Sequence, residues 1–383
     1  MLLRDFTSAL IAAAEKGAKV ARIVRAENTL LQLLVQEKEG KEKNDRFVQD
    51  FKTLADVLIQ EMVRHDLSLK FPGLEENVYG EESNCFTNTA GKSVVVQLCP
   101  TPQETASLLK EVLDGNEKAA AILSEALHED VEATVDTMLQ SQEQEVAVDD
   151  VGIWIDPIDS TAQFIRGQTG APNNEGIVDE GLQCVTVLIG AFDKQSGQPI
   201  AGVCVQPFAL WDTKTLQWLH NTTWSVCYKD VRLSSITPSK SDKHSIIISS
   251  SESDAVKQKL SKKFTLFSAA GAGYKILSAA WGHVDGYVLS RPTIYKWDCC
   301  APHAVLLSLG GGIVPYTDLD TDLHKDLHKD LDKDLDTIQG ADQSHQLQYQ
   351  FSSNEGGNAV PGVIAYRTKD VLSDIIHCLK NGT

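Results

Sequence analysis

The chain lacks any Cys-x-x-Cys pair and any metal-type spacing among its 8 cysteines. That excludes a zinc ribbon or a dithiol redox motif. Cys184, Cys204 and Cys227 lie in apolar, strand-like runs and read as buried free thiols of a reducing compartment. No apolar run is long enough to cross a membrane. The stretch Ser8–Ala14 is flanked by Arg4, Asp5, Glu15 and Lys16, too short and too charged for a signal peptide or a span. A soluble, cytoplasmic protein is expected, with no membrane partner. Basic residues are also scarce, 35 Lys and Arg against 53 Asp and Glu, for a net charge of −18. This balance argues against nucleic acid as a partner. It would repel a phosphate substrate too, unless bound divalent cations intervened locally. With 383 residues, 42% of them hydrophobic, the chain can bury sizeable cores in two domains or one layered unit.

What is present centres on Trp154–Thr161, the sequence Trp-Ile-Asp-Pro-Ile-Asp-Ser-Thr. Gly152 to Ile155 reads as a short strand, and Asp156 and Asp159 place two acids at its end. Pro157 fixes its own φ and turns Asp156 away from helical geometry. Ser160 and Thr161 can cap a helix running from Ala162 to Arg166 and ending at Gly167. Two carboxylates facing a helix N-terminus suit a hard cation together with a phosphate. The alternative is a capped turn with solvated acids. The octapeptide alone leaves both open.

Apolar spacing predicts two helices in the first 65 residues, the second from about Asp50 to Arg64, with Asp56 off its apolar stripe. A charged connector, Glu37 to Arg46, separates them. Phe71–Leu74 is a turn. Val78 to Gly80 is extended, with Glu81 and Glu82 projecting just after it. Adjacent carboxylates repel unless a cation or base sits between them. Val94–Leu98 reads as a strand and Pro100–Gln144 as helical. Strands at 183–190, 200–206 and 224–228 predict an antiparallel sheet. A boundary near residue 240 divides an α+β part, 1–240, from an α/β part, 241–383. The latter alternates strands near 245, 264, 286 and 359 with helices at 254–263, 273–280, 301–309 and 370–379. A low-complexity insert at 318–336 repeats Asp every four residues with Leu, Lys, His324 and His328. It reads as a solvated surface loop and receives no function.

Two further stretches carry chemistry. Lys296-Trp297-Asp298 precedes the predicted helix at 301, where Asp298 reads as an N-cap and Pro302 falls in the first turn. Ser268–Lys275 is a small-residue turn that can admit a ligand against backbone N–H groups, with Lys275 as an anion contact. It lacks the Walker pattern.

In order, Glu81-Glu82, Asp156-x-x-Asp159-Ser160-Thr161 and Trp297-Asp298 resemble the motif set of the lithium-sensitive, magnesium-dependent phosphatases. That superfamily includes inositol monophosphatase, fructose-1,6-bisphosphatase and the bisphosphate nucleotidases. Stretches 50–56, 71–74, 80–84, 156–161, 181–186, 206–208, 269–275 and 296–298 carry a nearer likeness to its inositol polyphosphate branch. Ser160 points the same way, since monophosphatases and nucleotidases usually have glycine there.

The resemblance implies a layered αβαβα sugar-phosphatase (inositol monophosphatase-like) fold, of mixed α+β and α/β character. It implies two or more Mg²⁺ ions held by Glu81, Glu82, Asp156, the Ile158 carbonyl, Asp159 and Asp298, with Asp56 at a third-metal or lithium position. Such ions, roughly 3.5–4 Å apart, clamp the entering and leaving oxygens of an in-line displacement. Thr161 and Asp56 would orient the attacking water and take its proton, and Glu81 would share in catalysis. Substrate would meet Asp159, Ser160, Thr161, Ser251, Gly271 and Lys275. One departure is Ser253, where the family usually has a lysine. The implied reaction, in inositol phosphate signalling and recycling, removes the 1-phosphate from inositol 1,4-bisphosphate and inositol 1,3,4-trisphosphate. Lithium would inhibit, and a monomer is expected. A 3′(2′),5′-bisphosphate nucleotidase is the alternative enzyme, and a non-catalytic binder of inositol phosphates the alternative class.

Overall fold

A computed structural model describes residues 1–26, 34–38, 51–133, 137–237, 243–317, 345–354 and 356–381. The insert at 318–336 and most of the connector at 37–46 lie outside the described residues. Helix α1 (Leu3–Ala26) buries Leu10, Ile11, Ala14, Ala18, Ala21 and Val24, at the helical spacing on which the first helix is expected. Strands β1 (Val35–Glu37) and β2 (Phe51–Thr53) pair antiparallel, with Val35 opposite Thr53. Helix α2 (Leu54–Lys70) therefore begins later than predicted. Thr53 is its N-cap. Its N–H and hydroxyl both donate to Asp56 Oδ2, at 2.7 and 2.6 Å, a threonine-to-acid cap that starts the helix here.

Strand β3 (Val78–Gly80) follows, then the small hairpin of β4 (Cys85–Thr87) and β5 (Ser93–Val95). The predicted helical stretch after Pro100 is three helices, α3 (Pro102–Val112), α4 (Glu117–His128) and α5 (Thr137–Gln140). Asp114 and Gly115 both adopt positive φ between the first two, which no continuous helix tolerates. Strand β6 (Val151–Asp159), helix α6 (Thr161–Arg166), and strands β7 (Thr186–Asp193), β8 (Pro199–Asp212), β9 (Gln217–Tyr228) and β10 (Val231–Ser234) complete the first half. The first main sheet has the order β10-β9-β8-β7-β6-β3, antiparallel except for the parallel pair β3–β6.

The second half contains β11 (Ser245–Ile248), α7 (Asp254–Leu260), β12 (Thr265–Ser268), α8 (Ala272–Ala280), β13 (Gly286–Leu289) and β14 (Ile294–Tyr295). Helix α9 (Lys296–Ser308), β15 (Gly312–Pro315), β16 (Ala359–Val360), β17 (Val363–Tyr366) and α10 (Lys369–Asn381) follow. The predicted last strand is thus split in two, with Gly362 at φ +108 between the pieces. The second sheet has the order β12-β11-β13-β17-β15, parallel on one side and antiparallel around β17.

Among the described residues three apolar cores hold five layers together, the middle core enclosing the central helices. One joins α1 and α2 to the first sheet. The next lies between the sheets and contains residues of α8 and α9. The third joins the second sheet to α7 and α10. This is the αβαβα order expected. Its central layer is set by two glycines, Gly190 and Gly202, which face each other across β7 and β8. A Cβ on Gly190 would meet Ala301 N at 2.5 Å, and one on Gly202 would meet Ala301 O at 2.2 Å. Helix α9 can lie this close only because both side chains are absent.

Candidate active site

The parallel pairing of β3 with β6 sets Gly80 beside Ile155. The next residues, Glu81 and Asp156, therefore leave the sheet edge side by side, with the Glu81 N–H bonded to Ile155 O at 3.2 Å. β6 does not stop at Ile155 as predicted. It continues to Asp159 through an irregularity in its pairing with β7, where Asp159 returns to register opposite Thr186. The Thr186 hydroxyl donates to Asp159 Oδ2 at 3.2 Å. The amides of Ala272 and Gly273 donate to the same carboxylate at 3.2 and 2.8 Å. The small-residue turn at 268–275 thus directs these two amides at a protein acid.

Asp298 arrives from the other half of the chain. It lies three residues inside α9, and Tyr295 is the N-cap. The Tyr295 N–H donates to Asp298 Oδ2 at 2.7 Å. The helix thus starts before the predicted 301, and Pro302 sits within it rather than in its first turn. A proline there lacks the N–H that would bond the Asp298 carbonyl one turn back. Asp156, Asp159 and Asp298 each present an oxygen within 4.8 Å of the others. Asp56, off the predicted apolar stripe, is 0% exposed because that face of α2 is turned inward as well.

Burial drives these acids upward. Asp156 lies well above the usual carboxylate range through burial and the charges of Glu81, Asp159, Asp298 and Asp56. Asp298 is raised likewise, first by burial and then by Asp159 and Glu81. Burial also raises Asp159, against the pull of Lys275, and Glu82, against the pull of Lys38. Asp56 reaches about 7 by burial, opposed by Thr53 and Lys38. Oδ1 of Asp56 and Oδ1 of Asp156 are buried without a hydrogen-bond partner. Clustered oxygen donors of this kind fit a hard divalent cation, which would satisfy the unpartnered atoms and relieve the repulsion.

The other expected site residues are more dispersed. The Thr161 hydroxyl donates to Ile158 O at 3.1 Å, so the two meet directly. Ser160 adopts φ +74 and makes no side-chain cap hydrogen bond, contrary to the simple capping expectation. A non-glycine residue in this region is strained. Gly271 shares the region at φ +74, and a Cβ there would meet Cys184 O at 2.6 Å. Lys275 is buried and donates to Ala269 O at 3.1 Å. The exposed Ser251 exchanges a 3.0 Å hydroxyl contact with Ser249.

Four residues at the site escaped sequence reasoning. They are Thr53 and Thr186, which hold Asp56 and Asp159, Gln60, whose Oε1 accepts from Glu82 N at 2.9 Å, and Lys38. Only Thr53 carried a local signal, its position three before an acid at a helix start.

Residues 101–330 match the model of the inositol monophosphatase family. The chain is 45% identical over 330 residues to inositol polyphosphate 1-phosphatase of Mus musculus, covering 82% of this chain and 83% of that protein. It is equally 45% identical over 333 residues to the Homo sapiens protein of that name, with the same coverage. Similarity to 3′(2′),5′-bisphosphate nucleotidase 1 of Dictyostelium discoideum is 32% over 179 residues, 44% of this chain and 53% of that one. Among solved structures, extragenic suppressor protein suhB from Bartonella henselae aligns over 98% of both chains with a TM-score of 0.50 and 12% identity, a likeness of fold.

Proposed function

The chain belongs to the inositol monophosphatase family, and from that premise we propose a magnesium-dependent, lithium-inhibited phosphatase that removes the 1-phosphate from inositol 1,4-bisphosphate and inositol 1,3,4-trisphosphate. The observation that carries this reading is the convergence of Asp156, Asp159 and Asp298 in a chain so similar to inositol polyphosphate 1-phosphatases. In this reading Glu81, Asp156, the Ile158 carbonyl, Asp159 and Asp298 hold the ions, with Glu82 and Asp56 beside them. Most of these ligands come from residues 1–240, and Asp298 from 241–383. Bound magnesium would supply the positive charge that activates water and steadies the departing inositol oxygen.

The protein's own residues do the rest. Asp56, held on one oxygen by Thr53, keeps Oδ1 free of hydrogen bonds and can accept a proton from the attacking water. Thr161 orients that water, and Glu81 shares in the same step. Substrate is steadied by Asp159, Ser160 and Thr161, and its ring and remote phosphate by Ser251, Gly271 and Lys275. Among the described residues no helix is long and apolar enough to cross a membrane. In this reading the protein acts as a monomer in the cytoplasm on small inositol polyphosphates.

Steady-state assays with magnesium on inositol 1,4-bisphosphate and adenosine 3′,5′-bisphosphate test the proposal. Preference for the inositol substrate, with inhibition by lithium, is expected. Turnover of the nucleotide well above that of the inositol bisphosphate would overturn it.

A further inference from the structure

Glu81 and Glu82 are adjacent acids, and a cation does sit between them. It comes from the chain itself. Lys38, immediately after β1, is 2% exposed. Its Nζ donates to Glu81 Oε1 at 2.6 Å and lies 2.6 Å from Glu82 Oε1 as an ion pair. Lys52 on the paired strand β2 is 1% exposed and donates to Ser83 Oγ at 3.0 Å. The β1–β2 hairpin thus carries two buried ammonium groups to the loop that bears both glutamates. Lys52 meets a hydroxyl there, whereas Lys38 meets the carboxylates.

Magnesium stands about 2.0–2.1 Å from its oxygen ligands. An ion held by these two glutamates would need the volume in which the Lys38 ammonium already touches an oxygen of each. Two cations so close repel strongly where little water screens them. One must leave for the other to enter.

We propose that Lys38 is an exchangeable counter-ion of the metal centre, bridging Glu81 and Glu82 until a divalent ion displaces it. The inference rests on the proposed assignment of those glutamates as metal ligands. Its consequence is a division of labour in metal binding. An ion at Glu81 and Glu82 must first evict a lysine that touches both carboxylates, whereas Lys275 acts on Asp159 and Asp298 as a charge and bonds a backbone carbonyl. The Glu81–Glu82 position should therefore fill last as magnesium rises.

Calorimetric titration of the full chain with magnesium alone, without substrate, tests this in the wild type, Lys38→Met and Glu81→Gln. Lys38→Met keeps the apolar stem and removes the charge. It should tighten the weaker magnesium-binding step roughly tenfold, a fold-change in the range of close charge-pair couplings. It should also lower the metal-free Tm and enlarge the rise in Tm that magnesium produces. A lysine that merely braces the fold would lower Tm equally with and without metal. Unchanged or weaker magnesium affinity in Lys38→Met would therefore overturn the proposal.

If that variant does not fold, the wild type still decides. Acetylation of Lys38, read by mass spectrometry, should rise severalfold on adding magnesium while that of Lys52 does not. A constant or falling Lys38 signal overturns the proposal. Glu81→Gln separates the two levels of inference. If it leaves magnesium binding intact, the ligand assignment fails and this proposal with it. If it weakens binding while Lys38→Met has no effect, only the exchange fails.

Discussion

The acidic centre has two halves that handle charge differently. Asp156, Asp159 and Asp298 converge from one strand end and one helix start. Lys275 pulls on Asp159 and Asp298 and donates a hydrogen bond to the backbone carbonyl of Ala269. Glu81 and Glu82 instead grip Lys38 directly. In the first half that pull still leaves all three acids raised above their usual range. The second is already partly neutralised from within. Acids alike in sequence thus meet unlike surroundings through what packs against them.

Breaking the first half should have the largest effect. Asp156→Asn is expected to lower kcat/KM on inositol 1,4-bisphosphate by about 10³-fold or more while the fold survives. Retained activity would show that the ligand set is wrong.

The pH dependence of stability probes the charge that both halves share. Asp56 is raised from 3.8 to about 7 by burial, against Thr53 and Lys38. Between those values the folded protein keeps a proton that the unfolded chain has released, so stability present near pH 4 is lost as pH rises to 7. The metal-free Tm should fall across that window, less so in Asp56→Asn, and magnesium should oppose the fall. A flat profile would mean that the chain's own cations already balance the site.

Gly202→Ala strikes the joint between the halves of the chain. A Cβ 2.2 Å from Ala301 O must lift α9, and Asp298 with it. A cost of about 1–3 kcal/mol should appear in urea unfolding, together with weaker magnesium binding. Full stability would show that α9 settles without the glycine contact. Thr53→Val tests the other half, since it removes the hydroxyl that holds Asp56. Helix-cap losses suggest about 1–2 kcal/mol and a several-fold fall in kcat. An unchanged kcat would separate Asp56 from its brace. The smallest effect is expected from Ser160→Gly, which relieves a left-handed conformation. Tm should rise by at most a few degrees, equivalent to about 1 kcal/mol or less, and a clear fall would show that the hydroxyl stabilises the fold.

Much of this is legible in the sequence. The strand leading into Asp156, the pair of acids at its end, the extended segment before Glu81 and the alternation after residue 245 all follow from spacing and turn residues. Other readings went astray for physical reasons. Asp298 looked like a cap because Pro302 looked like a first-turn proline. Tyr295, whose N–H finds the Asp298 carboxylate, starts the helix earlier. Spacing alone gave Asp56 no role, because apolar periodicity marks the apolar face of a helix and says nothing of a polar face buried at a site. Lys38 was invisible, since its contact with Glu81 spans 43 residues and leaves no trace in local pattern.

By itself, the sequence determined the order of elements, the position of acids at their ends and the oxygen chemistry of any ion they could hold. These depend on neighbours a few residues apart, which share one turn or one strand. Only the tertiary structure decided which acids meet, how closely α9 settles on Gly190 and Gly202, and which glutamates already have a cation. Those outcomes depend on packing between segments far apart in the chain, where the deciding feature is an absent Cβ or the reach of a single lysine.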